Sequence, residues 1–151
     1  MSTFFAKTNE LPQKTWCLVD AKDQVVGRLA SRIARVLMGK DRPGYTPHAL
    51  CGRGVIVINA ALAKMTGNKP ESKQYRSFSG YPGGYKERPY KRLIIEKPEF
   101  IIKHAVKGML PNSRLGKRMI THLLVYKGAE HPHMAQKPEA VTLLRQKKGS
   151  R

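Results

Sequence analysis

Acidic residues are scarce in this sequence. Over 151 residues, 10 Asp and Glu stand against 29 Lys and Arg, a formal net charge of +19. The few acids are scattered, and most lie beside Lys or Arg, so no carboxylate pair suited to general acid–base work stands out. Cysteine is nearly absent as well, with Cys17 and Cys51 alone. Met1 to Gln13 carries Lys7, Glu10 and Pro12 and lacks the apolar core of about 7–15 residues that marks a secretory signal. It is not an Arg- and Ser-rich transit peptide either. The thiols are therefore expected to be reduced, in a cytosol. Long apolar runs are missing too. The longest, Val55 to Ala63, is broken by Asn59 and falls short of the ~18 residues a membrane span requires. No internal repeat and no linker divides the chain. The expectation is one domain over 1–151, with 1–14 and 142–151 as extended tails.

What is present is positive charge. A domain this basic repels itself, so its natural partner is a polyanion that gives up counterions on binding. Anionic membrane is the competing partner, but it calls for large apolar anchors beside the basic residues. The tail Arg145-Gln-Lys-Lys-Gly-Ser-Arg151 has none. The hydrophobic share of 40% is enough for a folded centre with polar margins.

Along the chain, Thr15 to Asp20 reads as a short buried strand, and Val26 to Gly39 as a helix with Val26, Leu29, Ala30, Ile33 and Leu37 on one face. Val55 to Ile58 reads as a second strand, and the alternating Lys73 to Phe78 as a third. Ser79 to Tyr85, with three glycines and a proline, reads as an irregular loop that orders only on a partner. Helices are expected from Pro89 to Glu96, from Pro98 to Leu110 (burying Ile101, Ile102, Ala105 and Met109), and from a Ser113 cap to about His122. Leu123 to Tyr126 is a last strand, and beyond Gly128 the chain is expected to run over a surface. Solid apolar strands alternating with helices predict a three-layer α/β/α domain with a parallel sheet.

Two constellations point to RNA. Arg28, Arg32 and Arg35 recur at i, i+4 and i+7, opposite the apolar face of the first helix, with Lys40 just beyond it. Solvated helix faces usually mix signs, because like charges at that spacing repel; this stripe has no acid, and arginine forks suit phosphate. The second runs from Lys64 through Lys69, Lys73, Arg76, Lys86, Arg88 and Lys91 to Arg92, interleaved with Tyr75, Phe78, Tyr81, Tyr85 and Tyr90. Splayed bases stack on aromatic and guanidinium planes while cations hold the backbone. The bland alternative is that half of these tyrosines are simply core; Tyr81 and Tyr85 are the two expected to contact RNA. The Gly80-Tyr-Pro-Gly-Gly84 run matches neither a P-loop nor a dinucleotide fingerprint. His131-Pro-His133 with Cys51 is a poor metal set, lacking a fourth ligand, and these loop histidines suit RNA or their own backbone better. No cofactor, metal, small-molecule substrate or homo-oligomer is expected.

Several stretches together resemble the bacterial-type large-subunit ribosomal protein L-thirteen family. They are Trp16-Cys-Leu-Val-Asp-Ala21, Val26-Gly-Arg-Leu-Ala30, Gly39-Lys40 with Tyr45-Thr-Pro-His48, Val55-Ile-Val-Ile-Asn-Ala60 and Thr66-Gly-Asn-Lys69. Ser79-Gly-Tyr-Pro-Gly-Gly84, Ala105-Val-Lys-Gly-Met-Leu-Pro111, Leu115-Gly-Lys-Arg-Met119, Leu124-Val-Tyr126 with Gly128, and His131-Pro-His133 with Ala135-Gln136 and Pro138 follow in the same order. The resemblance implies a four-stranded parallel sheet and no catalysis. It implies a place in the cytoplasmic ribosome, bound to large-subunit ribosomal RNA beside neighbouring large-subunit proteins, with a role early in subunit assembly. His48, Lys107, Lys117, Arg118, His131 and His133 stand in these motifs and join the expected RNA contacts. One stretch departs: where the family usually carries acids, this chain has Ala49-Leu-Cys-Gly-Arg-Gly54, and Arg53 makes the region more basic. Two rival readings share the same basic surface: a nucleic-acid-modifying enzyme, which needs a pocket of perturbed titratable groups, and a free-standing RNA chaperone or translational regulator.

Overall fold

The apolar run ahead of Asp20 forms strand β1 (Trp16–Asp20), and the β-branched run that follows Arg53 forms β2 (Gly54–Ile58). They pair in parallel, from Trp16 opposite Gly54 to Asp20 opposite Ile58. The structure is a computed structural model that describes residues 15–141; the tails expected at 1–14 and 142–151 lie outside the described residues.

Helix α1 (Val26–Met38) carries the chain from β1 to β2, as a parallel pair requires. Its apolar face is the one the periodicity marks: Val26, Leu29, Ala30, Ile33 and Leu37 are all buried, joined by Ala34 and Val36. Burial of each large aliphatic side chain there contributes about 1.5–3 kcal/mol. Gly39 ends the helix at φ 81, its amide donating to the Val36 carbonyl, a left-handed position that favours glycine. The returning chain passes so close that a Cβ on Gly52 would stand 1.8 Å from the Leu37 carbonyl oxygen. Backbone meets backbone at this corner.

Helix α2 (Lys69–Ser72) is one turn. A hairpin of β3 (Gln74–Phe78) and β4 (Tyr85–Pro89) leads from it to α3 (Tyr90–Glu96), α4 (Pro98–Met109) and α5 (Arg114–Ile120). Pro98 opens α4 at its first turn, and the Ser113 hydroxyl accepts from the Gly116 amide at 3.2 Å, the cap that the sequence sets out. Helices α1 and α4 pack on one another. The chain then forms β5 (Leu123–Val125) and finally β6 (Glu139–Ala140). The main sheet runs β5-β2-β1-β6, every neighbour parallel, so the fold is the expected three-layer α/β/α with a small four-stranded parallel sheet.

Four expectations need correction. The alternating segment after Lys73 is a strand, but it joins a separate antiparallel hairpin rather than the parallel sheet. Its partner β4 is not marked in the sequence: Tyr85 ends the expected loop, Pro89 starts the expected helix, and Lys86 to Arg88 between them show no apolar alternation; every residue of β4 is exposed. The fourth parallel strand is β6, two residues long and fully exposed, where only surface chain was expected. In α4, Ile101 and Ile102 are buried and Ala105 is half-buried, but Val106 takes the inward position expected of Met109, which is 42% exposed. No described helix is long and apolar enough to cross a membrane.

Candidate nucleic-acid interface

The two basic constellations, apart in sequence, meet in the fold. Helix α1 begins at Val26, directly after Val25 bridges to Lys64, and this bridge brings the chain leading into α2 and the hairpin alongside the start of α1. Between them lies a cleft of about 800 Å³. Arg28 of the helical stripe lines it together with Lys69, Lys73 and Arg76 of the second cluster, and no Asp or Glu is among its lining residues. Arg28, Lys69 and Lys73 have no ion-pair partner among the described residues, while Arg76 pairs with Glu87. The net positive charge gives a potential that the low-dielectric walls focus outward.

From the cleft the stripe continues along α1. Arg32 and Arg35 are exposed, and among the described residues no acid forms an ion pair with Arg28, Arg32 or Arg35. Lys40 follows, exposed, its ammonium 5.8 Å from the centre of the Tyr45 ring. His48 is exposed further along the same turn region.

The hairpin continues the surface in the other direction. Tyr75 and Tyr90 are core, and burial pushes both phenols above their usual range, for Tyr75 with the charge of Tyr90 adding to it. Phe78, Tyr81 and Tyr85 are 67%, 78% and 52% exposed. Tyr81 and Tyr85, the two tyrosines expected to contact RNA, are thus exposed, the Tyr85 hydroxyl donating to Glu87 at 3.1 Å. The glycine loop at the tip is not irregular throughout. Tyr85 already belongs to β4, and Ser79 and Gly84 close the turn with backbone bonds of 3.2 Å (Ser79 amide to Gly84 carbonyl) and 2.9 Å (Gly84 amide to Tyr81 carbonyl). Strand pairing supplies the ordering that the glycines alone lack.

Several of the cations have acid neighbours. Arg76 pairs with Glu87 at 3.1 Å, Lys91 with Glu71 at 3.3 Å and Arg92 with Glu96 at 2.5 Å. All are exposed pairs, worth about 0–1 kcal/mol in water, so a phosphate can replace the carboxylate at little cost. Lys86 and Arg88 are exposed on β4.

Other expected residues lie elsewhere. Lys107 and Lys117 line a separate depression of about 150 Å³, with Leu110 and Gly116, and Arg118 is exposed on α5. His131 and His133 are half-buried and engaged in packing. The His133 amide donates to His131 Nδ1 at 3.3 Å, His133 Nε2 lies 2.5 Å from the Tyr126 hydroxyl, and the His133 ring stacks on Trp16 at 6.3 Å. Of the two roles read for these histidines, bonding to their own chain is the one the structure displays. Cys51 instead contacts the Thr46 hydroxyl, at 3.4 Å.

Arg53 corrects the reading of its region as more basic. It is ion-paired to Asp41 and lies 3.9 Å from Glu139 of β6, so its charge is largely consumed inside the protein. Burial alone would lower its pKa; the hydrogen bond to Asp41 and the surrounding negative charge raise it instead.

Sequence reasoning missed four cleft-lining side chains: Thr66, Ser72, Gln74 and His104. Only His104 left a trace, four residues after Phe100 on α4. The two rings lie 5.5 Å apart, and His104 meets Tyr75 edge-on at 5.4 Å.

The sequence pattern of the family described as ribosomal protein L13 matches residues 14–132. The chain is 55% identical over 143 residues to the large ribosomal subunit protein uL13 of Thermoanaerobacter pseudethanolicus, covering 95% of this chain and 99% of the relative. It is 53% identical over 141 residues to that of Koribacter versatilis, covering 93% and 98%, and 52% identical over 143 residues to that of Desulfitobacterium hafniense, covering 95% and 99%.

Proposed function

The chain belongs to the ribosomal protein L13 family, and from that premise we propose that it serves as a structural constituent of the large ribosomal subunit. The family is one of ribosomal structural proteins, not enzymes. In this reading the protein resides in the cytoplasmic ribosome, holds large-subunit ribosomal RNA and sits beside other large-subunit proteins, with a part in early subunit assembly.

The observation that carries the RNA-binding part is the acid-free cleft in which Arg28 meets Lys69, Lys73 and Arg76. It continues into Arg32, Arg35 and Lys40 on one side, and into Lys86, Lys91, Arg92 and the exposed rings of Tyr81 and Tyr85 on the other. Phosphate contacts from cations on several rigid elements position a protein on RNA, and exposed rings engage unstacked bases. His48, Lys107, Lys117 and Arg118 are exposed and belong to the same proposal as outlying contacts.

Sedimentation tests it. In about 0.5–1 M salt, tagged protein should remain with the large subunit, because a structural protein is held by many contacts at once. Loss from the subunit at that salt would favour the free-standing chaperone or regulator.

A further inference from the structure

The cleft contains more than a phosphate site needs. Arg28, Lys69, Lys73 and Arg76 supply the cations for phosphate, which hydroxyls and carboxamides also contact; an aromatic ring is what phosphate does not call for. The same cleft is also lined by Gln74, Thr66, Ser72 and the ring-bearing His104, the Ser72 hydroxyl donating to the Asn68 carbonyl at 3.0 Å. These are uncharged hydrogen-bonding groups and a flat ring, the chemistry that reads a base edge and base face.

Shape argues in the same direction. At about 800 Å³ the cleft falls within the range of about 300–1,000 Å³ typical of pockets that enclose a ligand. An A-form duplex presents a convex phosphate ridge, a deep major groove closed to side chains and a shallow minor groove. A nucleotide turned out of its stack is small enough to enter a concavity of this size. His104 is exposed, yet held in place by the rings of Tyr75 at 5.4 Å and Phe100 at 5.5 Å, so its orientation is set before any partner arrives. At the mouth, Gly27 has nothing within 4 Å of where a Cβ would stand, which leaves the first turn of α1 open to close approach.

We propose that this cleft receives a single unstacked nucleotide from a bulge or loop of the RNA: the base against the His104 ring, the flanking phosphates on Arg28, Lys69 and Lys73. The inference rests on the RNA-binding reading above and adds to it the conformation of the RNA that is bound.

The test compares two RNA probes on the full-length protein at about 0.15 M salt: a hairpin stem with one bulged nucleotide, in all four base identities, and the same stem without the bulge. The best bulged stem should bind about tenfold more tightly than the plain stem, the scale of one base–aromatic stack. His104→Ala should remove most of that ratio, read as bulged-stem over plain-stem affinity in the same variant. His104→Phe keeps a ring and should retain the preference, which separates loss of stacking from loss of fold. Equal affinity of all stems, with a steep salt dependence, overturns the nucleotide seat and leaves the phosphate-binding reading standing. Absence of salt-dependent binding to any stem overturns both.

Discussion

Arg53 bonds the carboxylate of Asp41, a residue in the turn beyond α1, while its other amino group lies 3.9 Å from Glu139 on the edge strand β6. One guanidinium therefore ties the end of the central helix to the last strand of the sheet. Its Nε is buried with no hydrogen-bond partner among the described residues, so the two amino groups hold the side chain. Arg53→Ala should lower stability by roughly 1–3 kcal/mol, the range for losing charge-assisted bonds to a partly buried group. Amide exchange at Val141, whose N–H donates to the Leu18 carbonyl, should speed up along with it. Urea unfolding and hydrogen exchange read the two effects; an unchanged midpoint would show the pair to be ornamental.

Charge reversal on α1 separates surface from fold. Arg28→Glu, Arg32→Glu and Arg35→Glu together should abolish most RNA binding while the circular dichroism spectrum stays native, because all three side chains are exposed opposite the buried face. Unchanged affinity would return the stripe to an ordinary solvated face.

The same electrostatics set a salt slope. If about 8 phosphates are neutralised, log K against log salt should fall with a slope of roughly −6 to −7. A slope shallower than about −2 would remove the electrostatic account.

Alkaline pH should destabilise the protein. Burial pushes the Cys17 thiol up, partly opposed by Arg53, and it also pushes up the Tyr75 and Tyr90 phenols. These groups stay neutral in the native state while the unfolded chain ionises first. Their stabilisation is therefore complete below the ordinary thiol value of about 8.5 and is lost as pH rises through the raised values. The urea midpoint should drop between about pH 8 and pH 10, and less steeply in Cys17→Ala. A midpoint that is flat over that range in the native sequence would refute it.

Much of the fold was legible because one period governs each element. Leu29, Ile33 and Leu37 recur at helical spacing and all are buried; Val55, Ile56 and Val57 form a solid apolar run and are buried in β2. Strand β4 was not legible, since an exposed hairpin strand has no burial to pattern its residues. Nor was β6, whose two residues pair through backbone alone. At the candidate site the cations were visible as composition, but which tyrosines pack inside, Tyr75 and Tyr90, was not. Nor was the meeting of the cations, because it depends on the Val25–Lys64 bridge, which leaves no mark in side-chain type. Arg53 misled for a related reason: a basic residue looks like surface charge until Asp41 and Glu139 are brought beside it.

The β3–β4 hairpin contributes a single buried residue, Tyr75, and β4 none. Its opening is therefore governed by a handful of ladder bonds and one anchored ring, not by the packing that holds the four-stranded sheet. Amides in the arm should exchange through local fluctuations long before the sheet unfolds. Under the proposed RNA-binding reading, that difference would divide the labour in time: the sheet and α1 would dock as a rigid body, and the arm would settle afterwards by small adjustments at its aromatic tip that leave the register of the core untouched.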